Sequence, residues 1–553
     1  MYRPVLVNHP KGWRSSQSSF LLTIVYWDIL NKLLDKEKGT YASMTSKAEQ
    51  LAAEIERIKK GGAEKYHTRN REQKKLFARD RLKLLLDDGK IEFEDGMFAE
   101  CQNPELPADG SITGVGRIHG RPVAFSASDS TVKAGSAGEK SVQKSLRIQE
   151  MAMQMRIPVF YLIDSAGARI TDQVRLFPGR NQGGRTFYNQ VKMSGMVPQI
   201  AIMFGPSPAG AAYTPAFADI AIMVEGNASA YLGSPRMAEM VTREKVTLEE
   251  MGGARMHCTV SGLGDFLAES EEDAIRIARD YFRYMPQNYL DKPADAEPVP
   301  PASDRPLKDI VPEVQSKPFN MYDFLDSLVD GGSFFEVKKL FAPELITGFA
   351  RLAGRAVGIV ANQPRVKGGV IFTDSSDKGT RFVNTCNAFN IPLLFLADVS
   401  GFMIGSAVER AGIIRHGAKF IAAVSQAVVP KISVVVRKCY GAGLYAMAGP
   451  AFGTDAVLAL PTAQIAVMGP EAAINAVFAN QIAEMPEDQR EPFRKMMEAR
   501  YAEDIDIFRL ASELIVDNIT PFEALRDELI ARFGIYQTKE ARFSECRNPI
   551  YPV

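Results

Sequence analysis

Paired cysteines and net charge are what this sequence lacks. Its five cysteines, in 553 residues, are scattered and form no C-x-x-C pair: Cys101, Cys258, Cys386, Cys439 and Cys546. This pattern argues against a structural zinc site and a disulfide framework, and a reducing, cytoplasmic location fits it best. The 66 basic residues balance 66 acidic ones, so nothing suggests a nucleic-acid coat or a general membrane-surface protein.

A long apolar run is also missing. The apolar stretch Phe20–Tyr26 is too short to span a bilayer, and no good small-residue cleavage site follows it to support a signal peptide. Met44 then opens a clean polar helix pattern. We interpret Met44 as the native start and residues 1–43 as a non-native or disordered extension, which N-terminal sequencing of the natural protein would test.

Nucleotide-binding loops are absent too, since no P-loop or dinucleotide fingerprint stands in a strand–turn–helix context. What the chain does have is 46% hydrophobic and 24% charged residues. A globular protein of this length is large enough for two cores or more. The few histidines and the lack of paired catalytic carboxylates give no candidate for a protein base, and His416 is better explained as a residue that orders a helix.

An internal repeat organises the sequence. ITGVGRIHGR, which starts at Ile112, returns with six identities in ten as ITGFARLAGR, which starts at Ile346. IPVFYLID, which starts at Ile157, returns at the same spacing as IPLLFLAD, which starts at Ile391. Both are apolar runs that suit buried strands, and helical spacing precedes each of them. The alternation of strands and helices predicts two related α/β domains with largely parallel sheets.

Prolines between the copies indicate a connection. We predict an N-terminal domain over residues 44–290, a linker over residues 291–315 and a C-terminal domain over residues 316–553. Asp164 and Asp398, which end a strand in each copy, are interpreted as turn or capping residues.

Each copy also ends a strand in small residues. AGAAYTPA begins at Ala209 and GAGLYAMA begins at Gly441. One such turn is common where a strand meets a helix, but two at matched positions favour a function. Backbone N–H groups in a first helical turn lack intrahelical partners and can hold a negatively charged oxygen, a contribution of about 3–4 kcal/mol per donor in catalysis.

Several motifs, in their order along the chain, resemble the carboxyltransferase (beta) subunit of biotin-dependent acyl-CoA carboxylases of the methylcrotonyl-CoA and propionyl-CoA type. The resemblance implies a duplicated crotonase-like (ClpP/crotonase) fold with two related domains. Acyl-CoA and carboxybiotin would meet between an N-domain and a C-domain, usually across subunits of a hexamer. The motifs are SAGARI at 165–170, GPSPAGAAYTPA at 205–216, EEMGGARMHCTVSG at 249–262, SGFMIG at 400–405, GIIRHGAK at 412–419 and RKCYGAGLYAMAG at 437–449.

The resemblance places one oxyanion turn in each domain. Ala209 and Gly210 would hold the thioester oxygen of acyl-CoA, and Ala442 and Gly443 the ureido oxygen of biotin. The family usually has Gly-Gly where this chain has Ala209-Gly210, a departure that should be harmless if only the N–H is used. The implied reaction releases CO2 from carboxybiotin, and the biotin anion then removes the substrate proton, so that no protein base is needed.

The resemblance also defines partners. A Met-Lys-Met biotin attachment motif is missing, so biotin must arrive on a separate biotin carboxyl carrier protein, supplied with a biotin carboxylase or fused to it in an alpha subunit. We expect a homo-hexameric core, no metal in this chain and no nucleic-acid partner. Four basic side chains of the N-domain are candidates for the CoA phosphates, with a solvated charged face as the alternative: Arg169, Lys133, Lys140 and Lys144.

The acyl group is assigned from Tyr445. Propionyl-type and acetyl-type members have an aspartate there, whereas the methylcrotonyl-type run Gly-Ala-Gly-Asn-Tyr-Gly-Met is similar to residues 441–447. Because pocket shape decides discrimination, we expect 3-methylcrotonyl-CoA. Other segments are closer to the propionyl branch, so a propionyl-CoA carboxylase beta subunit is the first alternative. A glutaconyl-CoA-type biotin-dependent decarboxylase with a membrane partner and a catalytically idle assembly subunit are the others.

Overall fold

The computed structural model describes residue 32, residues 46–546 and residues 550–552. The described residues divide into two compact units, with the boundary after Gly61. In the first unit, residues 46–59 form a helix, α1. Apart from Lys32, the extension predicted over residues 1–43 lies outside the described residues and stays a prediction, as does the start at Met44.

The second unit contains all the strands of the described residues, in two large sheets and a two-stranded ribbon. Their bounds are β1 (Ile91–Asp95), β2 (Ser111–Ile118), β3 (Arg121–Ser128), β4 (Val159–Ile163), β5 (Gln199–Met203), β6 (Pro206–Pro208), β7 (Ile220–Val224), β8 (Ser229–Tyr231), β9 (Phe266–Ala268), β10 (Phe335–Val337), β11 (Leu345–Leu352), β12 (Arg355–Asn362), β13 (Leu393–Val399), β14 (Lys431–Tyr440), β15 (Ala456–Ala459), β16 (Gln464–Ala466) and β17 (Asn518–Ile519).

Helices surround the sheets. Their bounds are α2 (Glu64–Glu72), α3 (Ala78–Leu85), α4 (Glu139–Met155), α5 (Gln173–Leu176), α6 (Gly183–Met193), α7 (Tyr213–Phe217), α8 (Pro235–Thr242), α9 (Leu248–Gly252), α10 (Ala254–Met256), α11 (Glu271–Phe282), α12 (Leu307–Ile310), α13 (Met321–Asp326), α14 (Thr373–Ala388), α15 (Ser406–Arg410), α16 (Ile413–Gln426), α17 (Ala442–Ala446), α18 (Pro470–Glu484), α19 (Glu487–Asp504), α20 (Ile507–Ser512) and α21 (Leu525–Tyr536). No helix among the described residues has the length and apolar character needed to cross a membrane.

The two large sheets share one strand order. The first runs β1-β2-β3-β4-β5-β7-β9 and the second runs β10-β11-β12-β13-β14-β15-β17. In each sheet the first three strands pair antiparallel and the later ones pair parallel. The predicted duplicated α/β architecture is therefore present, with an antiparallel edge on each parallel sheet.

Burial explains why the apolar runs form central strands. Every residue of β4 and of β13 is buried, as expected for strands of a parallel sheet that is covered on both faces. An aromatic contact joins the halves, since the ring centroids of Tyr284 and Phe349 lie 5.6 Å apart, and Phe349 in turn contacts Phe382 of its own half at 5.0 Å. The predicted domain boundaries stay predictions, and the helix α12 lies inside the predicted linker.

A buried lysine occupies the same position in both copies, on α4 and on α14. Lys378 Nζ donates to the carbonyls of Phe341, at 2.8 Å, and Ala342, at 3.3 Å, while Lys144 Nζ donates to the Ala108 carbonyl at 3.1 Å. Burial lowers the pKa of Lys378 to about 7 and that of Lys144 to about 8. Both lysines therefore fix a loop of their own domain.

Replacing Lys378 with methionine is expected to change how stability depends on pH. The folded pKa of about 7 lies below the 10.5 of an ordinary lysine, so between these values the unfolded chain binds more protons and the free energy of unfolding rises with pH. Lys378→Met should flatten that rise between pH 7 and pH 9.5 in urea unfolding. Lys339→Met, which removes an exposed lysine, is the matched control. An unchanged slope in Lys378→Met would contradict the prediction.

Candidate active site

The first small-residue turn follows β5. The chain passes through β6 and a 3-10 turn, Ala209–Ala212, into α7. Ala209 and Gly210 are both exposed. Pro208 pairs with Tyr231 in the parallel β6–β8 ribbon. Because a proline has no N–H, the N–H of Ala209 must donate the hydrogen bond that joins this pair to Tyr231. The Gly210 N–H has no hydrogen-bond partner in the described residues and is the open donor of this turn.

Ala209 has an unusual backbone conformation. Its φ is 54°, in the left-handed region where only glycine is unstrained. The Gly-Gly of the resembling family would fit this turn without that cost, which is about 1–2 kcal/mol for a residue with a Cβ. The departure at Ala209 therefore alters strain and leaves the donor at Gly210 in place.

The second turn follows β14. Gly441, with a φ of 53°, donates its N–H to the Ala466 carbonyl at 2.9 Å, and α17 begins at the next residue. A Cβ added at Gly443 would lie 3.0 Å from the Cα of Gly401. Close approach of two backbones thus favours glycine at 443, whose N–H belongs to the first turn of α17 and has no intrahelical acceptor.

A glycine loop lies against each turn, and the sequence motifs that contain these glycines had been given no structural role. Gly167 follows β4 with a φ of 93°, and Gly401 follows β13 with a φ of 117°. A Cβ at Gly167 would lie 3.1 Å from the Pro208 ring, just as Gly443 meets Gly401 in the second copy. The signal was present in the sequence, because Gly167 and Gly401 stand at matched positions of the repeat.

The two repeated aspartates anchor buried ion pairs, which corrects their interpretation as turn or capping residues. Asp164 accepts from Lys75 at 2.6 Å and from Arg81 at 3.0 Å, and Arg81 also binds Glu271 at 2.7 Å. Burial alone would raise the pKa of Asp164, but the charges of Arg81 and Lys75 hold it below its ordinary value. Asp164 Oδ1 would lie 2.0 Å from a Cβ on Gly205, so this network packs directly against the strand leading to the first turn.

In the second copy, the described residues give Asp398 one ion-pair partner. Asp398 accepts from Arg437 Nη2 at 2.6 Å, and both side chains are buried. Arg437 Nη1 also donates to the carbonyls of Val314, at 3.1 Å, and Lys317, at 2.7 Å. This pair ties β13 to β14 next to the second turn.

Three of the predicted CoA-binding cations lie at or near the surface. Lys133 is half-exposed and pairs with Glu105 at 2.7 Å, and Lys140 is 40% exposed and pairs with Glu139 at 3.1 Å. Arg169 binds Asp109, with 11% of its side chain exposed. Lys133 and Lys140 could exchange their present partners for a phosphate, whereas Asp109 is 2% exposed, so Arg169 could bind a phosphate only while it keeps that buried partner.

The two remaining predicted residues differ in exposure. Lys144 is 7% exposed and bound to backbone carbonyls, so a phosphate would have to displace those contacts. Tyr445 is 46% exposed on α17, two residues after Gly443, with its ring centroid 5.1 Å from that of Phe452. It is thus accessible beside the second turn.

A cavity of about 450 Å³ adjoins the first turn. Its lining includes Ala212 and Tyr213 together with Leu232, Met251 and His257. The described residues contain no group of three or more His, Cys, Asp or Glu side chains that could hold a metal. His416 pairs with Asp377 at 2.8 Å, within a helix contact.

With this geometry in view, the comparisons with known proteins define the class. Residues 69–549 match the carboxyl transferase domain family. An uncharacterized carboxylase, YngE, of Bacillus subtilis (strain 168) is 61% identical over 90% of this chain and 98% of its own length. Two relatives are each 38% identical: the propionyl-CoA carboxylase carboxyltransferase subunit of Haloferax mediterranei, over 90% of this chain and 97% of its own, and the mitochondrial methylcrotonoyl-CoA carboxylase beta chain of Dictyostelium discoideum, over 87% and 84%.

A solved structure agrees. The chain is similar to a transcarboxylase 12S crystal structure, described as a hexamer with methylmalonyl-coenzyme A and methylmalonic acid bound, with a TM-score of 0.87 and 38% identity over 92% of this chain and 98% of that one. The chain belongs to the carboxyl transferase domain family, and the predicted crotonase-like fold is confirmed. It is an enzyme, a carboxyltransferase of the biotin-dependent acyl-CoA carboxylase and decarboxylase class.

Proposed function

We propose that this chain is the carboxyltransferase subunit of an acyl-CoA carboxylase that transfers CO2 from carboxybiotin, on a separate carrier protein, to 3-methylcrotonyl-CoA. The observation that carries the proposal is the matched pair of turns, each with an N–H group that has no partner among the described residues, at Gly210 and at Gly443. Two carbonyl oxygens that become negative during transfer need two such sites.

Each turn binds the oxygen of one reactant. The Gly210 N–H holds the thioester oxygen of the acyl-CoA as the enolate forms, and the Ala442-Gly443 turn holds the ureido oxygen of biotin. Biotin supplies the carboxyl group and, once CO2 has left, the base. Because Gly443 packs on Gly401 and Gly210 borders open space, the chain positions the second oxygen through a rigid contact between two loops.

The CoA group is assigned to the first copy. Lys133, Lys140 and Arg169 are the cations we propose for its phosphates: the two lysines can exchange a carboxylate for a phosphate, and Arg169 can bind one beside Asp109. Lys144 contributes by holding the loop at Ala108. The cavity lined by Tyr213 and Leu232 offers apolar surface next to Gly210.

The same comparison supports the assembly that we propose. The similar transcarboxylase 12S is described as a hexamer, and exposed apolar side chains occur in both copies here, among them Ile170, Phe177, Ile404 and Val467. Exposed apolar patches of this kind mark interaction surfaces. We propose a homo-hexamer in the cytoplasm that works with a biotin carboxylase and a biotin carboxyl carrier protein.

Reconstitution tests the division of labour. The purified chain alone, with ATP, bicarbonate and 3-methylcrotonyl-CoA, is expected to show no carboxylation, and addition of a biotin carboxylase and its biotinylated carrier should produce it. The control is the same mixture with unbiotinylated carrier. Carboxylation by the single chain would refute the proposal.

The choice of substrate rests on Tyr445. Its exposure beside Gly443, with Met403 and Ile404 also exposed after Gly401, supports an apolar wall for a branched acyl chain. We expect kcat/KM for 3-methylcrotonyl-CoA to exceed that for propionyl-CoA by at least tenfold, about 1.4 kcal/mol.

Tyr445→Asp should move that ratio toward propionyl-CoA, because it creates the residue found in propionyl-type members. Tyr188→Asp, another half-exposed tyrosine, is the matched control. A tenfold preference of the wild type for propionyl-CoA would instead assign the first alternative, and an unmoved ratio in Tyr445→Asp would show that another position selects the acyl group.

One sequence relative supports the decarboxylase alternative. A methylmalonyl-CoA decarboxylase subunit alpha of Veillonella parvula is 40% identical over 79% of this chain and 87% of its own length. The same turns would stabilise the same oxyanions in either direction of transfer. Two rates distinguish the directions: carboxyl transfer from the carboxylated acyl-CoA to the free carrier, and carboxyl transfer from the carboxylated carrier to the acyl-CoA.

A further inference from the structure

A cavity of about 970 Å³ lies at the amino ends of the parallel strands in the second sheet. Its walls include Arg355 at the start of β12, Pro392 before β13 and Pro430 before β14. The turn at Gly443 follows the opposite end of β14, a ten-residue strand that spans about 33 Å. The cavity is therefore separate from the proposed transfer site.

An arginine at this cavity has a counterpart in the first copy. Arg121 begins β3 as Arg355 begins β12, at the matched position of the repeat. The Arg121 guanidinium donates to the carbonyls of Phe282 and, at 2.6 Å, Met285, and lies 3.6 Å from the centroid of the Phe282 ring. In the first copy the arginine thus closes the carboxyl end of α11.

Helix α21 takes the place of α11 in the second copy. Asp265 and Asp517 precede these helices, and each accepts an N–H from the neighbouring strand. The spacing between these two aspartates also matches Phe282 with Gly534 and Met285 with Gln537. The aromatic ring that covers Arg121 is therefore missing above Arg355.

The carbonyl that would correspond to the Met285 acceptor already accepts a hydrogen bond from another side chain. Lys292 Nζ donates to the Gln537 carbonyl at 2.6 Å, the position that corresponds to Met285. Arg355 has no hydrogen bond and no ion pair through its side chain with any described residue, and its guanidinium lies beside Gly534. The duplication has left one arginine as a helix cap and the other with its five donors open to a cavity.

The remaining charges of the cavity favour an anion. The lining cations are Lys292, Arg355, Lys539 and Arg542, and the lining acids are Asp295 and Glu540. Lys539 already pairs with Asp455, which does not line the cavity, at 2.8 Å. Apolar side chains form the rest of the wall, among them Leu352, Val357, Val429 and Phe533.

We propose that this cavity binds a small organic anion, whose phosphate or carboxylate group is held by Arg355 and whose apolar part lies against Val429 and Phe533. The planar guanidinium fork binds either group through two parallel hydrogen bonds. A volume of about 970 Å³ is at the upper end of the range for small-molecule sites. The site is distinct from both turns and does not depend on the proposed transfer function.

Calorimetric titration of the full chain tests the site, with phenyl phosphate and phenylacetate as the two anionic probes and benzyl alcohol as the neutral one. We expect saturable binding of an anionic probe to the wild type and at least a tenfold weaker affinity in Arg355→Gln. The stronger of the two anionic probes identifies the group that Arg355 prefers. Arg147→Gln, which removes an arginine that is 76% exposed on α4, should bind as the wild type does.

A second variant closes the cavity without removing the charge. A Cβ at Gly534 meets first the end of the Arg355 side chain, at 2.9 Å, which can move. Gly534→Phe restores the arrangement of the first copy and should also weaken binding at least tenfold. Wild-type affinity in Arg355→Gln, or no saturable binding of either anionic probe to the wild type, would overturn the proposal.

Discussion

Gly210→Val is expected to reduce carboxyl transfer by a factor of about 10² to 10³ and to leave folding unchanged. A Cβ at Gly210 has no atom nearer than the Phe187 ring, at 4.0 Å, and the position is exposed. The branched side chain would occupy the space in which an oxygen must sit within about 3 Å of the N–H, and loss of one oxyanion donor costs that factor in rate. The measurement is kcat in the reconstituted system, with thermal unfolding as the check on folding.

Two variants frame that result. Ala209→Gly removes a side chain from a residue with φ of 54° and should keep wild-type transfer, because the open donor belongs to Gly210. Gly184→Val adds the same side chain at an exposed glycine of α6 that also has open space, and it should be silent. A wild-type kcat in Gly210→Val would contradict the assignment of this turn as an oxyanion site.

Gly443→Val is expected to behave differently from Gly210→Val. Its Cβ would meet the Gly401 backbone at 3.0 Å, and backbone cannot yield as a side chain end can. Loss of transfer in Gly443→Val would therefore be accompanied by lower stability, so Gly210 offers the cleaner test of the chemistry.

Arg437→Met is expected to lower the free energy of unfolding by about 3–5 kcal/mol. The variant leaves the Asp398 carboxylate buried without its charged partner, and removal of one member of a buried pair costs this much. It also frees the carbonyls of Val314 and Lys317. Urea unfolding of the purified chain measures the change.

Matched variants separate charge from packing. Arg509→Met breaks an exposed pair with Asp504, of which about 60% of each side chain is exposed, and should cost no more than about 1 kcal/mol. The double variant Arg437→Met with Asp398→Asn should recover part of the loss, since no buried charge remains. Equal losses in Arg437→Met and Arg509→Met would show that the buried Asp398 pair contributes no more to the free energy of unfolding than an exposed pair does.

The repeat, the central strands and the family could all be obtained from sequence because their signals are local. IPVFYLID and IPLLFLAD are continuous apolar runs, and both became fully buried strands, β4 and β13. The motifs around Ala209 and Gly443 are short and contiguous, and the family match covers residues 69–549. Local periodicity and short motifs can be recognised without knowing which distant residues contact each other.

Partners distant in sequence had to come from the folded structure. The sequence located Asp164, but its partners Lys75 and Arg81 stand 89 and 83 positions away. Among the predicted phosphate ligands, Lys133 and Lys144 look alike in sequence, yet one is half-exposed and the other buried on a carbonyl. Burial depends on packing between elements, which composition along one element does not encode.

Two α/β copies with one small-residue turn each can be read from the amino-acid order alone, because the duplication repeats strand, turn and helix signals in the same order from Ile112 and again from Ile346. Which donor is free in the first turn depends on packing across the chain. The pairing of Pro208 with Tyr231 uses the Ala209 N–H and leaves that of Gly210. The same holds for Arg121 and Arg355, identical in the repeat, whose roles diverge because a phenylalanine packs on one and a glycine on the other.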